Sequence, residues 1–186
     1  MLVIRRNAFC MAGVMAKKIS KPETKKSTLA PTLNDLPVET RELSTALLNQ
    51  ALADLSDLHS QAKQAHWNVY GANFFSQHEL FDKLADILFE PLDEIAERVV
   101  SLGGVAAGTV RQAAAASSVP EFPTDAKGSL AYITALAEHV AVAAKSVRAA
   151  IATTADAGDA DTSDLLTGVS RSLDKTLWFL EAHTRE

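Results

Sequence analysis

The stretch FSQHELFDKLADILFEPLDEIAERVVSLGG, residues 75–104, decides the fold. Its apolar residues Phe75, Leu80, Leu84, Ile87, Leu88, Ile95 and Val99 recur at helical spacing, and Gly103-Gly104 is a strong stop signal. One long helix is predicted. Pro91 lies inside it, removing one backbone hydrogen bond; because the periodicity resumes afterwards, a kink is expected rather than an end. The same helix carries two pairs of metal-binding residue types, His78 with Asp82 and Asp93 with Glu97. Members of each pair are four residues apart and so project from one face on adjacent turns.

Upstream, Leu43, Leu47, Leu48, Ala51, Leu52, Leu55 and Leu58 form another apolar stripe, predicting a helix from Pro37 to about Tyr70 that Gly71-Ala72-Asn73 interrupts. Downstream, residues 105–124 read as a connection with a short Ala-rich helical turn near Val110 to Ala116, before Pro120 and Pro123. Asp125 is the expected cap of a third main helix through roughly Thr153. After the polar Asp156 to Asp159 stretch, a fourth runs from about Thr162 to His183. Four main helices with a long link between the second and third predict an all-α four-helix bundle whose second and third helices run parallel. A hydrophobic content of 47% with only 6% aromatic, dominated by Ala and Leu, agrees with closely packed helices.

The net charge of −5 conceals an asymmetry. Residues 1–30 hold Arg5, Arg6, Lys17, Lys18, Lys21, Lys25 and Lys26 against Glu23, or +6, leaving 11 basic and 22 acidic side chains, or −11, for residues 31–186. A cationic tail on an anionic body suits a polyanion reached by the tail and cations drawn to the body. Residues 16–35 are rich in Lys, Ser, Thr and Pro and are expected to be mobile. The chain thus divides into a flexible basic extension, residues 1–36, and one folded domain, residues 37–186. Arg5-Arg6 before the apolar stretch Ala8 to Ala16 resembles an export signal, but that stretch lacks leucines and runs into Lys17-Lys18. Met15 offers an alternative start, and a non-exported protein is the preferred reading. Cys10 is the only cysteine, which excludes an intrachain disulfide or a multi-cysteine zinc site and points to a reducing compartment. No apolar run is read as long enough to span a bilayer.

Histidine nitrogen and carboxylate oxygen are donors suited to non-haem iron. Asp82 and Asp93 are 11 residues apart, nearly a whole number of turns but about 16 Å along a helix. The two pairs therefore point the same way yet cannot share one metal within a chain. Two copies of this helix packed antiparallel about a two-fold axis would set His78 and Asp82 of one chain against Asp93 and Glu97 of the other. His66, near the end of the preceding helix, can join His78 and Asp82 because the Gly71 turn folds that helix back. Glu-x-x-His pairs on two helices, the hallmark of an intrachain di-iron bundle, do not occur. Taken singly, an acidic i,i+4 pair also reads as solvated surface, and a histidine beside Trp67 as a core residue.

The words Lys63-Gln-Ala-His-Trp-Asn68, Gly71-Ala-Asn-Phe74, His78-Glu-Leu-Phe-Asp82, Leu92-Asp-Glu-Ile-Ala-Glu-Arg98 and Leu102-Gly-Gly104 occur in order. Together with Ser170-Arg-Ser-Leu-Asp174 and Leu177-Trp-Phe-Leu-Glu181, they resemble the signature of the Dps family of mini-ferritins over residues 40 to 183. The resemblance implies a ferritin-like fold and a homododecameric shell of tetrahedral symmetry. It also implies a ferroxidase that oxidises Fe(II), preferably with hydrogen peroxide, stores ferric mineral in its cavity and protects DNA. His66, His78 and Asp82 of one subunit with Asp93 and Glu97 of its mate become both the iron ligands and the catalytic residues, holding two irons or one tight and one weak; no haem is expected. Asp161 and Asp164 match acidic positions of the family's three-fold pores, and equally the solvated start of a helix. Glu79 and Glu94 are candidates for mineral nucleation, with a salt-bridge role as the alternative. The family places a tryptophan at Trp67 that intercepts oxidising equivalents, although core packing is the simpler expectation. Lys17, Lys18, Lys21, Lys25 and Lys26 are candidate phosphate contacts, and the alternative overall reading is a sequence-independent DNA-compacting protein. A cytoplasmic location, nucleoid-associated if DNA is bound, and no membrane partner follow from the same resemblance.

Overall fold

In the computed structural model, residues 27–185 are described, so Cys10, Met15 and the five tail lysines lie outside the described residues. Five helices and no strand occur among the described residues: α1 (Val38–Asn68), α2 (Phe74–Ser101), α3 (Val110–Ala116), α4 (Ser129–Asp156) and α5 (Ala160–Glu181). The two predicted apolar stripes are the ones buried. Leu48, Leu52, Leu55 and Leu58 of α1 meet Phe81, Leu84, Leu88 and Ile95 of α2, and Leu136, Leu166 and Leu173 complete one core. α1 packs along α2 and α4 along α5, while α1 also packs on α4 and α2 on α5.

Contacts at the helix ends fix the directions. Thr40, at the start of α1, donates its hydroxyl to the carbonyl of Ala157 just after α4 (3.1 Å), and Arg98, near the end of α2, reaches Asp159 and Thr162 at the start of α5. α1 is therefore antiparallel to both α2 and α4, which makes α2 and α4 parallel and demands the long crossover. Polar side chains of α1 hold that crossover down. The carboxylate of Asp54, completely buried, accepts from the Ser118 backbone N–H at 2.7 Å, Asn49 accepts from the Ala107 N–H at 2.9 Å, and Gln50 donates to the Ala116 carbonyl at 3.0 Å. Each bond satisfies a group in a segment that has no ladder of its own.

Several boundaries differ from expectation for local reasons. Asp125 caps nothing: α4 begins at Ser129 behind Gly128, whose φ of +81° turns the chain into the helix. The cap of α5 is Asp159, whose carboxylate accepts from the Thr162 N–H (3.0 Å), so α5 starts two residues before the expected Thr162. α2 runs unbroken through Pro91, although the Ile87 carbonyl has no N–H to accept from there. The segment from Ser27 to Leu36, expected within the mobile extension, is tethered: the Ala30 N–H donates to the Gly103 carbonyl (2.7 Å), and Arg41 donates to the carbonyls of Leu36 and Leu102. A side chain at position 103 would meet the Ala30 carbonyl at 2.6 Å, and the φ there is +88°, so glycine is required twice over.

One expectation about membranes needs correction. α4 has the length and hydropathy to cross a bilayer, but half of its most apolar window is buried inside the bundle, the position of a core helix.

The Arg98–Asp159 pair (2.8 Å) is the most buried ion pair among the described residues, with side-chain exposures of 17% and 0%. Burial pushes the Asp159 carboxyl up, but hydrogen bonds from Thr162 and Arg98, with the buried Ser44 hydroxyl facing it short of full hydrogen-bond geometry, bring it below the usual carboxylate value. Because the native value is the lower one, this stabilisation is complete above the ordinary carboxylate range and is lost as pH falls below about 4. Asp159→Ala should strand Arg98 and uncap α5, costing about 3–5 kcal/mol. A urea-unfolding midpoint unchanged by the substitution would refute that assignment.

Candidate metal centre

The last turn of α1 and the first turns of α2 meet across the short link Val69 to Asn73. Val69 is buried and caps α1 by donating to the Ala65 carbonyl, and Gly71, at φ +118°, permits the reversal. The reversal places His66 and His78 ring on ring, with centroids 3.7 Å apart and an interplanar angle of 21°. The two residues are joined reciprocally. His66 Nδ1 lies 2.9 Å from the His78 carbonyl, and His78 Nδ1 lies 2.9 Å from the His66 carbonyl. A carbonyl oxygen only accepts, so each ring carries its proton on Nδ1 and, when neutral, leaves the Nε2 lone pair free. Two nitrogen donors are thereby oriented by the backbone itself, the arrangement that fixes tautomer and ring plane in metal-binding histidines.

Asp82 lies one turn beyond His78 on α2. Its carboxylate is bonded to the ammonium of Lys63 and lies 3.8 Å from His66 Nδ1. The hydrogen bond from Lys63 is the main reason its carboxyl is held below the usual range; desolvation works against it, and His66 and His78 assist. Lys63 stands one turn before His66, and the sequence signal that could have singled it out is that shared face.

The structure thus brings together His66, His78 and Asp82 and leaves Asp93 and Glu97 apart. Both carboxylates are exposed on α2, three turns and more beyond Asp82. Among the described residues, no three His, Cys, Asp or Glu side chains are grouped so as to enclose a metal ion within one chain.

The remaining candidates are spread over the surface. Asp161 is 84% exposed and within 3.8 Å of Arg98, and Asp164 is exposed one turn further along α5. Glu79 is exposed, while Glu94 lines a groove of about 710 Å3 between α2 and α5 with Lys83, Glu90, Arg171 and Lys175. Trp67, expected to pack in the core, is instead 68% exposed, because the inward face of α1 at that level is taken by Ala62, Ala65 and Val69. His139 is a core residue, its Nδ1 2.6 Å from the Gln61 side-chain oxygen and its ring against Phe122. Burial, opposed by the charges of Glu138 and Asp57, lowers its pKa and favours the neutral ring. Lys63→Met should raise the Asp82 carboxyl toward the ordinary range, an upward shift readable by carboxyl NMR titration of the metal-free protein; an unmoved titration would show that Lys63 does not hold it.

Residues 45–186 match the sequence profile of the family described as Ferritin-like domain. A DNA protection during starvation protein from Agrobacterium fabrum is 42% identical over 155 residues, covering 83% of this chain and 96% of that one. Among solved structures, DpsC from Streptomyces coelicolor superposes with a TM-score of 0.82 at 35% identity, covering 86% of this chain and 93% of the other. DpsA14 from the same organism gives 0.79 at 32%, covering 85% and 95%. With the family profile matched over residues 45–186 and these relatives aligned over most of both chains, the chain belongs to the Dps family of ferritin-like proteins.

Proposed function

We propose that this protein is the subunit of a homododecameric shell with tetrahedral symmetry that oxidises Fe(II), stores the ferric product as mineral and so protects DNA. The observation that carries this reading is the reciprocal His66–His78 lock, which leaves the Nε2 lone pairs of the neutral rings free, with the Asp82 carboxylate 3.8 Å from the Nδ1 side of the His66 ring. Histidine with carboxylate suits ferrous iron, and hard oxygen donors hold the ferric product. Asp93 and Glu97 of the partner subunit supply the other half, since an antiparallel neighbour is what closes the gap of about 16 Å along α2. Residues 37–186 form the shell domain, and residues 1–36 its extension.

The chemistry balances with two ferrous ions, or a tight one joined by a weaker one. Each gives one electron to a single hydrogen peroxide, whose O–O bond breaks to leave two oxygens at the oxidation level of water. No hydroxyl radical is released, because the second electron is available where the first was taken. Hydrolysis of the ferric product then releases protons. Asp161 and Asp164, exposed at the start of α5, are proposed to line the pores that admit iron, and Glu79 and Glu94 to seed mineral. An acidic body of charge −11 raises the local concentration of cations at such openings. Trp67, exposed and next to His66 in sequence, is proposed to intercept stray oxidising equivalents. A cytoplasmic, nucleoid-associated location suits this role.

Mixing two inactive variants tests the shared site. Asp82→Ala and Glu97→Ala shells should each lose most Fe(II) oxidation. Random pairing of the two should restore about a quarter of the sites, because half the two-fold pairs are mixed and one site in each mixed pair is intact. No recovery in verified mixed shells would refute the sharing.

A second reading, sequence-independent DNA compaction, is favoured by the separation of +6 on residues 1–30 from −11 on the rest. Lys17, Lys18, Lys21, Lys25 and Lys26 would grip phosphates, and repetition over a shell would multiply weak contacts. A gel-shift salt titration should show binding by the full chain that weakens steeply with salt and is lost in a form beginning at Ser27; equal shifts would remove the tail from the account.

A further inference from the structure

Six charged side chains line the groove of about 710 Å3 between α2 and α5, a volume typical of small-ligand sites, and all but one are divided by sign between the two helices. Asp86, Glu90 and Glu94 stand four residues apart on α2 and form one acidic row. Arg171 and Lys175, one turn apart on α5, form a basic row across from it, and Lys83 of α2 adds a third cation. No ion pair among the described residues includes any of the six, whereas Arg148 of α4 and Asp174 of α5 close to 2.9 Å. Rows that could neutralise each other are thus held apart by the groove. Pro91 leaves the Ile87 carbonyl without its helical donor, and both residues line the acidic wall, adding an oxygen acceptor there. On the basic wall, the Lys175 ammonium lies 5.8 Å from the Phe179 ring centroid, a contact that steadies the side chain and uses none of its three N–H donors.

We propose that this groove binds inorganic phosphate on Arg171 and Lys175, assisted by Lys83, and pairs it with iron on the acidic row, so that the mineral starts as a ferric phosphate. The proposal rests on the reading of Glu94 as a seed of mineral and adds the anion that the seed takes. Arginine presents a fork of N–H donors that matches two phosphate oxygens, and lysine supplies a point charge beside it. The basic row is needed because a body of charge −11 repels free oxyanions. Three cations facing three carboxylates make the groove neutral, so it suits a cation and an oxyanion together better than either ion alone. Carboxylate, carbonyl and phosphate oxygens are all hard donors, the kind that ferric iron prefers.

Inorganic phosphate titrated into the metal-free full chain, followed by phosphorus NMR line broadening, should bind. An Arg171→Gln, Lys175→Gln double variant should bind about tenfold more weakly, having lost two charge-assisted contacts. Both side chains are exposed and make no hydrogen bond among the described residues, so the fold should survive, as a circular-dichroism melt will report. Arg148→Gln removes a cation already paired with Asp174 and should leave phosphate binding unchanged. When Fe(II) and peroxide are added with phosphate present, the phosphate carried per iron in the first mineral should fall severalfold in the double variant. No binding by the parent chain, equal binding by parent and double variant, or an equal loss in Arg148→Gln would each overturn the site. Nucleic-acid backbones offer the same oxyanion. A double variant that no longer shifts DNA in a gel but keeps its phosphate binding would hand the basic row to DNA and overturn the proposal too. Phosphate binding by a chain that fails to oxidise Fe(II) would sink the ferroxidase reading and leave the groove standing. Oxidation with the same phosphate per iron in parent and double variant would do the reverse.

Discussion

The two hydrogen bonds that His66 and His78 exchange with each other's carbonyls are the constraint on which the functional end of the molecule rests. Carbonyls near the end of α1 lack intrahelical partners, as every helix C-terminus does, and one of them is used to hold an imidazole. The reverse bond uses an early carbonyl of α2. Each bond contributes on the order of 1 kcal/mol, modest for stability, but the geometric return is large. Rotation of either ring breaks its bond, so both Nε2 atoms keep a fixed direction before any metal arrives. Preorganisation of donors is then a property of the turn rather than of the ion.

How much of this was legible beforehand depended on whether the signal was local. The stripes of α1 and α2, the short α3 and the parallel placement of α2 and α4 were readable, because periodicity and linker length are local quantities. The five candidate ligands were nameable because four lie at i,i+4 spacing on one helix, the fifth ends the preceding one, and the surrounding words resemble a family signature; spacing alone was weak. Lys63 was marked only by the helix face it shares with His66, since its pairing with Asp82, 19 residues on, leaves no mark in spacing. Arg98 with Asp159, 61 residues apart, was hidden for the same reason, and Asp125 looked like a cap only because the turn at Gly128 cannot be foreseen from residue type. Trp67 misled in the other direction: size argued for burial, but its angular position on α1 sets it opposite the inward alanines.

Three buried polar side chains serve segments or helix ends lacking partners of their own: Asp54 bonds Ser118, Gln61 the Pro120 carbonyl, and Asp159 Thr162 and Arg98. The long crossover is therefore ordered by side chains of α1 rather than by secondary structure. A connection of this length would otherwise carry backbone groups with nowhere to go.

Glu97 and Arg98 are consecutive, and that adjacency has a mechanical meaning. One turn of α2 presents the proposed iron-facing carboxylate outward and, on its other flank, grips the cap of α5 and approaches Asp161. The face proposed to oxidise iron and the acidic mouth proposed to feed it are thus joined through a single turn of α2, so that a change at Arg98 reaches both.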